Sequence, residues 1–273
     1  MLLVLLCLKV RYHPHVTLLR GNHEDFLCNK RYGFLEECEV RLQQGNEFYR
    51  KYILPLFQAL PLAALVEKKI LVCHGGPGLH AKTLNDIQDI PRPIVGPTHV
   101  NKYVPNDASE EQRLAAKRQN IIVDLLWSDP TPKVGLTLEK DFKASSGRFG
   151  ARFDGDGYNA TRGAGTYFGP DTVKNFCTRN KISMIVRAHE CVSQGVRLSD
   201  EGNLITVFTA PKYGGGNNGG AIVEVSRRLD VRVLLHFFFS LPLFLCVCGV
   251  CVCVCVCVIV SNTRVLKQFF KQI

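Results

Sequence analysis

Short apolar runs that halt at glycine or histidine recur along the chain. Val16–Leu19 runs into Arg20-Gly21-Asn22-His23-Glu24-Asp25, Ile70–Cys73 into His74-Gly75-Gly76-Pro77-Gly78, and Ile182–Val186 into Arg187-Ala188-His189-Glu190. Leu204–Phe208 runs into Thr209-Ala210-Pro211-Lys212-Tyr213, and a glycine-rich turn leads on to Ala221–Val225. Continuous runs of this length, rich in β-branched residues, are the pattern of buried strands. The last two predict a hairpin closed across Gly214–Gly220. Helical periodicity lies between the runs, at Gly33–Leu42, Glu47–Gln58 and Ser109–Asn120. The last opens on Ser109-Glu110-Glu111-Gln112, an N-cap residue with acidic side chains in the first turn. Met1–Val10 is apolar, but it has no basic residue ahead of the run and no small-residue cleavage site behind it. That pattern predicts an amphipathic helix leading into a strand rather than a signal peptide. Strands alternating with helices and ending in a hairpin predict an α/β sandwich-like domain with mixed sheets.

The pattern has a spatial consequence. In open α/β sheets functional groups gather where strands end and loops begin. Three of the runs deliver a histidine just past their ends: His23, His74 and His189. Small residues beside them let the backbone approach a ligand closely. Imidazole nitrogens, and the amide oxygen of Asn22, coordinate divalent metals.

These residues carry a family resemblance. Leu18-Leu19-Arg20-Gly21-Asn22-His23-Glu24 resembles the Gly-Asn-His-Glu motif of the phosphoprotein phosphatase (PPP) family of Ser/Thr protein phosphatases, whose catalytic domain is of the calcineurin-like metallophosphatase type. Ile70–Gly76 is similar to the family's His-Gly-Gly motif, and Leu125-Leu126-Trp127-Ser128-Asp129-Pro130 to its Leu-Trp-Ser-Asp-Pro segment. Arg162-Gly163-Ala164-Gly165 with Phe168-Gly169, then Arg187-Ala188-His189-Glu190, then Thr206–Tyr213, follow in the family's order. The resemblance covers residues 2–225. It implies a metallophosphatase-type β-sandwich of mixed sheets flanked by helices, incomplete at its N-terminus. It also implies hydrolysis of phosphoserine and phosphothreonine with two adjacent divalent metals (Mn, or Fe and Zn) that activate a water and clamp the phosphate. By resemblance, Asn22, His74 and His189 would bind the second metal. His23 would be the general acid that protonates the leaving oxygen. Arg162 would hold phosphate oxygens through its planar fork, with a surface ion pair as the alternative. Tyr213 would line the pocket, or pack as a loop aromatic.

The departures are as informative as the matches. The family's Gly-Asp-x-His-Gly and Gly-Asp-x-Val-Asp-Arg-Gly motifs, which supply the first metal's ligands and the bridging carboxylate, do not occur in the sequence. Residues 2–12 resemble the helix that follows the second of these motifs, which implies a chain truncated at an internal Met. Only second-metal ligands are then present, and two-metal catalysis by this polypeptide is expected to fail. Pro77-Gly78 and Lys212 differ from common family residues. Pro91–Asn120 and Phe142–Thr161 are longer than the family's loops, and Asp154-Gly155-Asp156-Gly157 reads as a flexible turn rather than a calcium loop. Phosphoprotein substrates are implied, regulatory subunits are compatible with the family, and no nucleic-acid partner is expected. A non-catalytic phosphatase-like binding protein is the competing reading.

Composition adds one boundary. The 273 residues are 46% hydrophobic, enough for a core and against disorder. The net charge of +10 suits anionic partners, and equally a solvated basic surface. Of the 12 cysteines, Cys246, Cys248, Cys251, Cys253, Cys255 and Cys257 crowd into the tail. The others lack paired spacing, so the body reads as a reduced, intracellular protein, cytoplasmic or nuclear. Val233–Val260 has no Asp, Glu, Lys or Arg and exceeds the length that spans a bilayer. Yet Val252–Val258 alternates Val and Cys, which is what a GT dinucleotide repeat encodes. The division is thus 1–230, a partial Ser/Thr phosphatase catalytic domain, and 231–273, a low-complexity hydrophobic tail. That tail is either translated non-coding sequence or a membrane anchor.

Overall fold

The structure is a computed structural model that describes residues 2–42, 44–131, 157–199, 201–226, 228–236 and 258–260. Asp154, Asp156 and most of the Val233–Val260 segment lie outside the described residues. The chain divides into two compact units, one of residues 1–61, 92–95 and 238–273, the other of residues 62–91 and 96–237.

The first unit is built mainly of short helices. Helix α1 (Leu2–Arg11) leads into strand β1 (Val16–Leu18), as the apolar pattern predicts. Lys9 donates through Nζ to the Val16 carbonyl at 2.6 Å and so ties the helix end to the strand. Helices α2 (Phe26–Arg31) and α3 (Phe34–Arg41) follow; α2 is capped by Asp25, whose Oδ1 accepts from the Leu27 amide at 2.9 Å. The predicted helix over Glu47–Gln58 proves to be three joined pieces: α4 (Gly45–Phe48), a π-helical turn at Tyr49–Ile53, and α5 (Leu54–Ala59). Pro55 is the physical reason. It lacks an N–H and its ring crowds the carbonyl four residues back, so the turn ahead of it widens. Leu2, Val16, Leu18, Leu35, Tyr49, Ile53, Phe57 and Leu60 form this unit's core. Strand β1 pairs antiparallel with β11 (Val258–Val260).

The second unit holds a five-stranded mixed sheet. Strands β2 (Ala63–Val66) and β3 (Ile70–Cys73) form a hairpin, and β4 (Asp129–Pro130) pairs parallel with β5 (Tyr167–Phe168) outside the main sheet. Helices α6 (Leu84–Gln88), α7 (Glu110–Trp127) and α8 (Pro170–Asn180) lie between strands. Beyond α8 come β6 (Met184–Arg187), β7 (Val196–Leu198) and β8 (Leu204–Val207), giving the sheet order β2-β3-β6-β8-β7. The β3–β6 and β6–β8 pairs are parallel, so these strands end on the same side. Strands β9 (Gly220–Val225) and β10 (Val231–His236) form a separate antiparallel pair. Ile70, Val186 and Ile205 of the sheet pack with Val223, Val225 and Val231 of that pair, which makes the predicted sandwich.

One pairing differs from expectation. The hairpin across Gly214–Gly220 does not form, because β8 is already bonded on both edges, to β6 and to β7. Strand β9 pairs with β10 instead and touches the end of β8 through the Ala221 amide and the Phe208 carbonyl at 3.0 Å. Helix α7 begins where predicted, with a reciprocal capping box between Ser109 and Gln112, and runs on to Trp127.

Candidate functional site

The shared direction of β3 and β6 brings two of the sequence's candidate residues together in the second unit. His74, fully buried, follows β3, and His189 follows β6. The Ala188 amide donates to the His74 carbonyl at 3.0 Å, which locks the two strand ends together. His74 Nε2 and His189 Nδ1 then lie 3.1 Å apart, with the rings edge to face. His189 has φ of +68°, a conformation that costs a non-glycine residue about 1 kcal/mol. Such strain persists only where the surroundings impose it, and clusters at functional sites.

Glycine lets helix α7 close against this corner. A methyl group at Gly75 would meet the Asp124 carbonyl oxygen and the Trp127 amide nitrogen at 2.8 Å, both backbone atoms. The Gly75 amide instead donates to the Leu125 carbonyl at 2.6 Å. The indole of Trp127, at the helix end, meets the His189 ring edge-on. Its N–H is buried with no acceptor among the described residues.

The third sequence candidate in this unit, Arg162, reaches the same corner. Its Nε donates to Asp129 Oδ2 at 2.8 Å, and Nη2 lies 3.4 Å from the His189 carbonyl. A third of the Arg162 side chain remains exposed. Asp129, to which the family resemblance assigns no role, organises this corner. Its Oδ2 also accepts from Asn159 at 3.1 Å, and its Oδ1 accepts from buried Arg187 at 2.8 Å and lies 4.0 Å from His189 Nε2. The signal was available: Asp129 and Arg187 are charged residues inside motifs flanked by apolar runs, where a charge must be paired. Tyr213 is half-buried in a short turn, edge-on to Phe208 at 5.2 Å, with its amide bonded to Asn218 Oδ1 at 2.8 Å.

Asn22 and His23 belong to the first unit, in the loop after β1. The ring of His23 lies 5.0 Å from that of Tyr32. Its carbonyl accepts from Asn29 Nδ2 at 2.5 Å, and Asn29 Oδ1 accepts from the buried Tyr49 hydroxyl at 2.6 Å. Burial, with Asp25 adding to it, pushes the Tyr49 phenol up, which keeps it a donor. Arg20 closes the loop from beneath, donating to the Glu24 carbonyl at 3.0 Å and to the Ile94 carbonyl at 3.2 Å. Burial pulls its guanidinium below the ordinary value, and the nearby acids Asp25 and Glu24 oppose that pull.

The donor set of the histidine pair suits a divalent metal in part. Two nitrogen ligands that each stand about 2.1 Å from one tetrahedral ion fall about 3.4 Å apart, a little more than the 3.1 Å between these two. Among the described residues no group of three or more His, Cys, Asp and Glu side chains is arranged to hold an ion. His74 and His189 supply two nitrogen donors of the kind a divalent metal takes.

In this mixed sheet the strand ends gather two imidazoles beside an arginine held by a carboxylate. The chain belongs to the calcineurin-like phosphoesterase family, whose pattern matches residues 1–193. It is 38% identical over 231 residues to the serine/threonine-protein phosphatase BSL2 of Arabidopsis thaliana, covering 84% of this chain and 19% of that protein. It is 31% identical to the serine/threonine-protein phosphatase with EF-hands 1 of Rattus norvegicus, covering 82% of this chain and 34% of that one. Among solved structures it resembles a protein serine/threonine phosphatase from Saccharomyces cerevisiae with similarity to human phosphatase PP5. The TM-score is 0.63 at 28% identity, over 87% of this chain and 65% of the other. The chain thus spans about a fifth and a third of the two curated relatives' lengths. The family is metal-dependent, and the expected mixed-sheet metallophosphatase fold is borne out.

Proposed function

We propose that this chain carries the phosphate-holding residues and one metal position of a protein Ser/Thr phosphatase site. The observation that carries the reading is the corner at the ends of β3 and β6, where Arg162 on Asp129 stands beside the paired imidazoles of His74 and His189. A guanidinium held at Nε by a carboxylate keeps its other N–H groups aimed and pre-organised for phosphate oxygens. His74 and His189 would hold a divalent ion, and by family resemblance Asn22 would be a metal ligand. Bound there, the ion would supply Lewis-acid polarisation of a phosphoryl oxygen. Asn29 and Tyr49 fix the backbone of His23, and Tyr32 flanks its ring. That support suits a general acid that must present a proton to a leaving serine or threonine oxygen. Tyr213 would border the substrate's path.

The substrates would be phosphoserine and phosphothreonine in proteins. The sequence holds ligands for one metal position and no bridging carboxylate motif, so the 273-residue polypeptide on its own is expected to show no more than trace manganese-dependent turnover. A phosphoserine-peptide turnover assay on the purified chain tests the point. Release of phosphate near background is the expected outcome, and robust turnover abolished by His23→Ala would overturn it. Residues 1–230 would form the working domain, to which Val231–His236 adds strand β10.

A further inference from the structure

We propose that Arg187 is a positioning residue that sets the orientation of Arg162 through Asp129. The proposal rests on the phosphate-holding reading of Arg162 given above and adds to it the device that aims that side chain.

Arg187 is fully buried, with an exposure of 0%. Burying a guanidinium is costly unless every donor finds an acceptor. Its Nε donates to the Gly75 carbonyl at 2.5 Å, the residue after His74. Its Nη2 donates to the Ser128 carbonyl at 2.9 Å and to Asp129 Oδ1 at 2.8 Å. Its Nη1 donates to Glu190 Oε2 at 2.6 Å, an oxygen that also accepts from the exposed Arg197 at 2.6 Å. One planar group thereby joins the end of β3, the start of β4 and the loop beyond β6.

The consequence falls on Asp129. Its two oxygens are divided: Oδ1 belongs to Arg187, and Oδ2 is left for Arg162 and Asn159. Asn159 strengthens the division, because its Oδ1 accepts from the Arg162 amide at 3.1 Å while its Nδ2 donates to Asp129. With Arg187 in place the carboxylate cannot turn about its own axis. Arg162 then has one place to set its Nε, and its outer nitrogens face one way. A lysine at 187 supplies a point charge without the fork and cannot satisfy Gly75, Ser128, Asp129 and Glu190 together. Glu190 is the counter-charge that holds the far side of the same fork.

The test is binding of inorganic phosphate to the full chain, followed by ³¹P line broadening, together with the Nε–H resonance of Arg162 and the thermal midpoint. Arg162→Ala checks the underlying reading: unchanged phosphate binding in that variant removes the reading itself. If Arg162→Ala weakens binding, Arg187→Lys and Asp129→Asn are expected to weaken it by about tenfold each, with a moved Arg162 Nε–H resonance. The double variant is expected to be no worse than the weaker single, because the two residues act through one path. Arg187→Lys that stays folded, binds phosphate as the wild type does and leaves the Arg162 resonance in place overturns the proposal. Should Arg187→Lys fail to fold, Glu190→Gln takes its place. A shift of the Arg162 resonance in that variant supports the proposal, and its absence overturns it.

Discussion

The two units secure their candidate histidines in different ways. In the second, the hold is backbone against backbone: the His74 carbonyl takes the Ala188 amide, the Gly75 amide takes the Leu125 carbonyl, and the corner leaves no room for a side chain at Gly75. In the first, His23 is held by side chains, through Asn29, Tyr49 and the ring of Tyr32. Main-chain contacts at strand ends have few alternatives, whereas a relay of side chains can relax when one link is lost. Residues of one catalytic type should therefore tolerate change unequally.

The largest effect is expected at Gly75. Gly75→Ala forces a methyl group onto backbone atoms of α7 that cannot move aside, and should destabilise by about 3 kcal/mol, read from the urea midpoint. A loss well below 1 kcal/mol would show that the corner is looser than its contacts. Tyr49→Phe is the matching change in the first unit. It leaves the buried Asn29 oxygen without its donor and should cost about 1–2 kcal/mol. The loosened relay should also make His23 more reactive toward diethylpyrocarbonate. Equal losses for the two variants would erase the distinction drawn between the units.

A smaller effect is set by pH. Burial works against ionisation of Asp86, but hydrogen bonds from Lys117 Nζ, Thr83 and Lys82 outweigh it and hold the carboxyl down at about 2. Because the folded value lies below the unfolded one, this stabilisation is present above pH 4 and is lost as pH falls from about 4 to about 2. Lys117→Ala should flatten that part of the stability curve, as followed by thermal melts across the range. The smallest change concerns the turn between β2 and β3, where Glu67 and Lys68 both adopt left-handed backbone, with φ of +48° and +56°. Lys68→Gly relieves one of these and should raise stability by about 1 kcal/mol or less, by the same melts.

The strand-end logic was legible because it is local. Apolar runs that stop at His74 and His189 mark both the strands and the residues they deliver, and the Ser109 cap marks the start of α7. What was not legible depends on pairing. Nothing in Leu204–Phe208 says that β8 takes β6 and β7 as neighbours, so β9 was matched to the wrong strand. Strand β10 was hidden because Val231–His236 merges with the apolar tail in composition. The break at Tyr49–Ile53 follows from Pro55, a signal present in the sequence but outweighed by helical spacing on both sides. Asp129 and Arg187 sat within recognised segments, yet their roles appear only when three loops meet around one guanidinium.

On the proposed reading, Arg162, aimed by Asp129 beside the histidine pair, would hold a phosphoryl group of a phosphoserine or phosphothreonine peptide. Isothermal titration of the full chain with a phosphoserine peptide and with its unphosphorylated twin tests it most directly. Binding is expected to require the phosphate and to weaken at least about tenfold in Arg162→Ala at an unchanged thermal midpoint. Equal affinity for both peptides, or undiminished binding by Arg162→Ala, would contradict it.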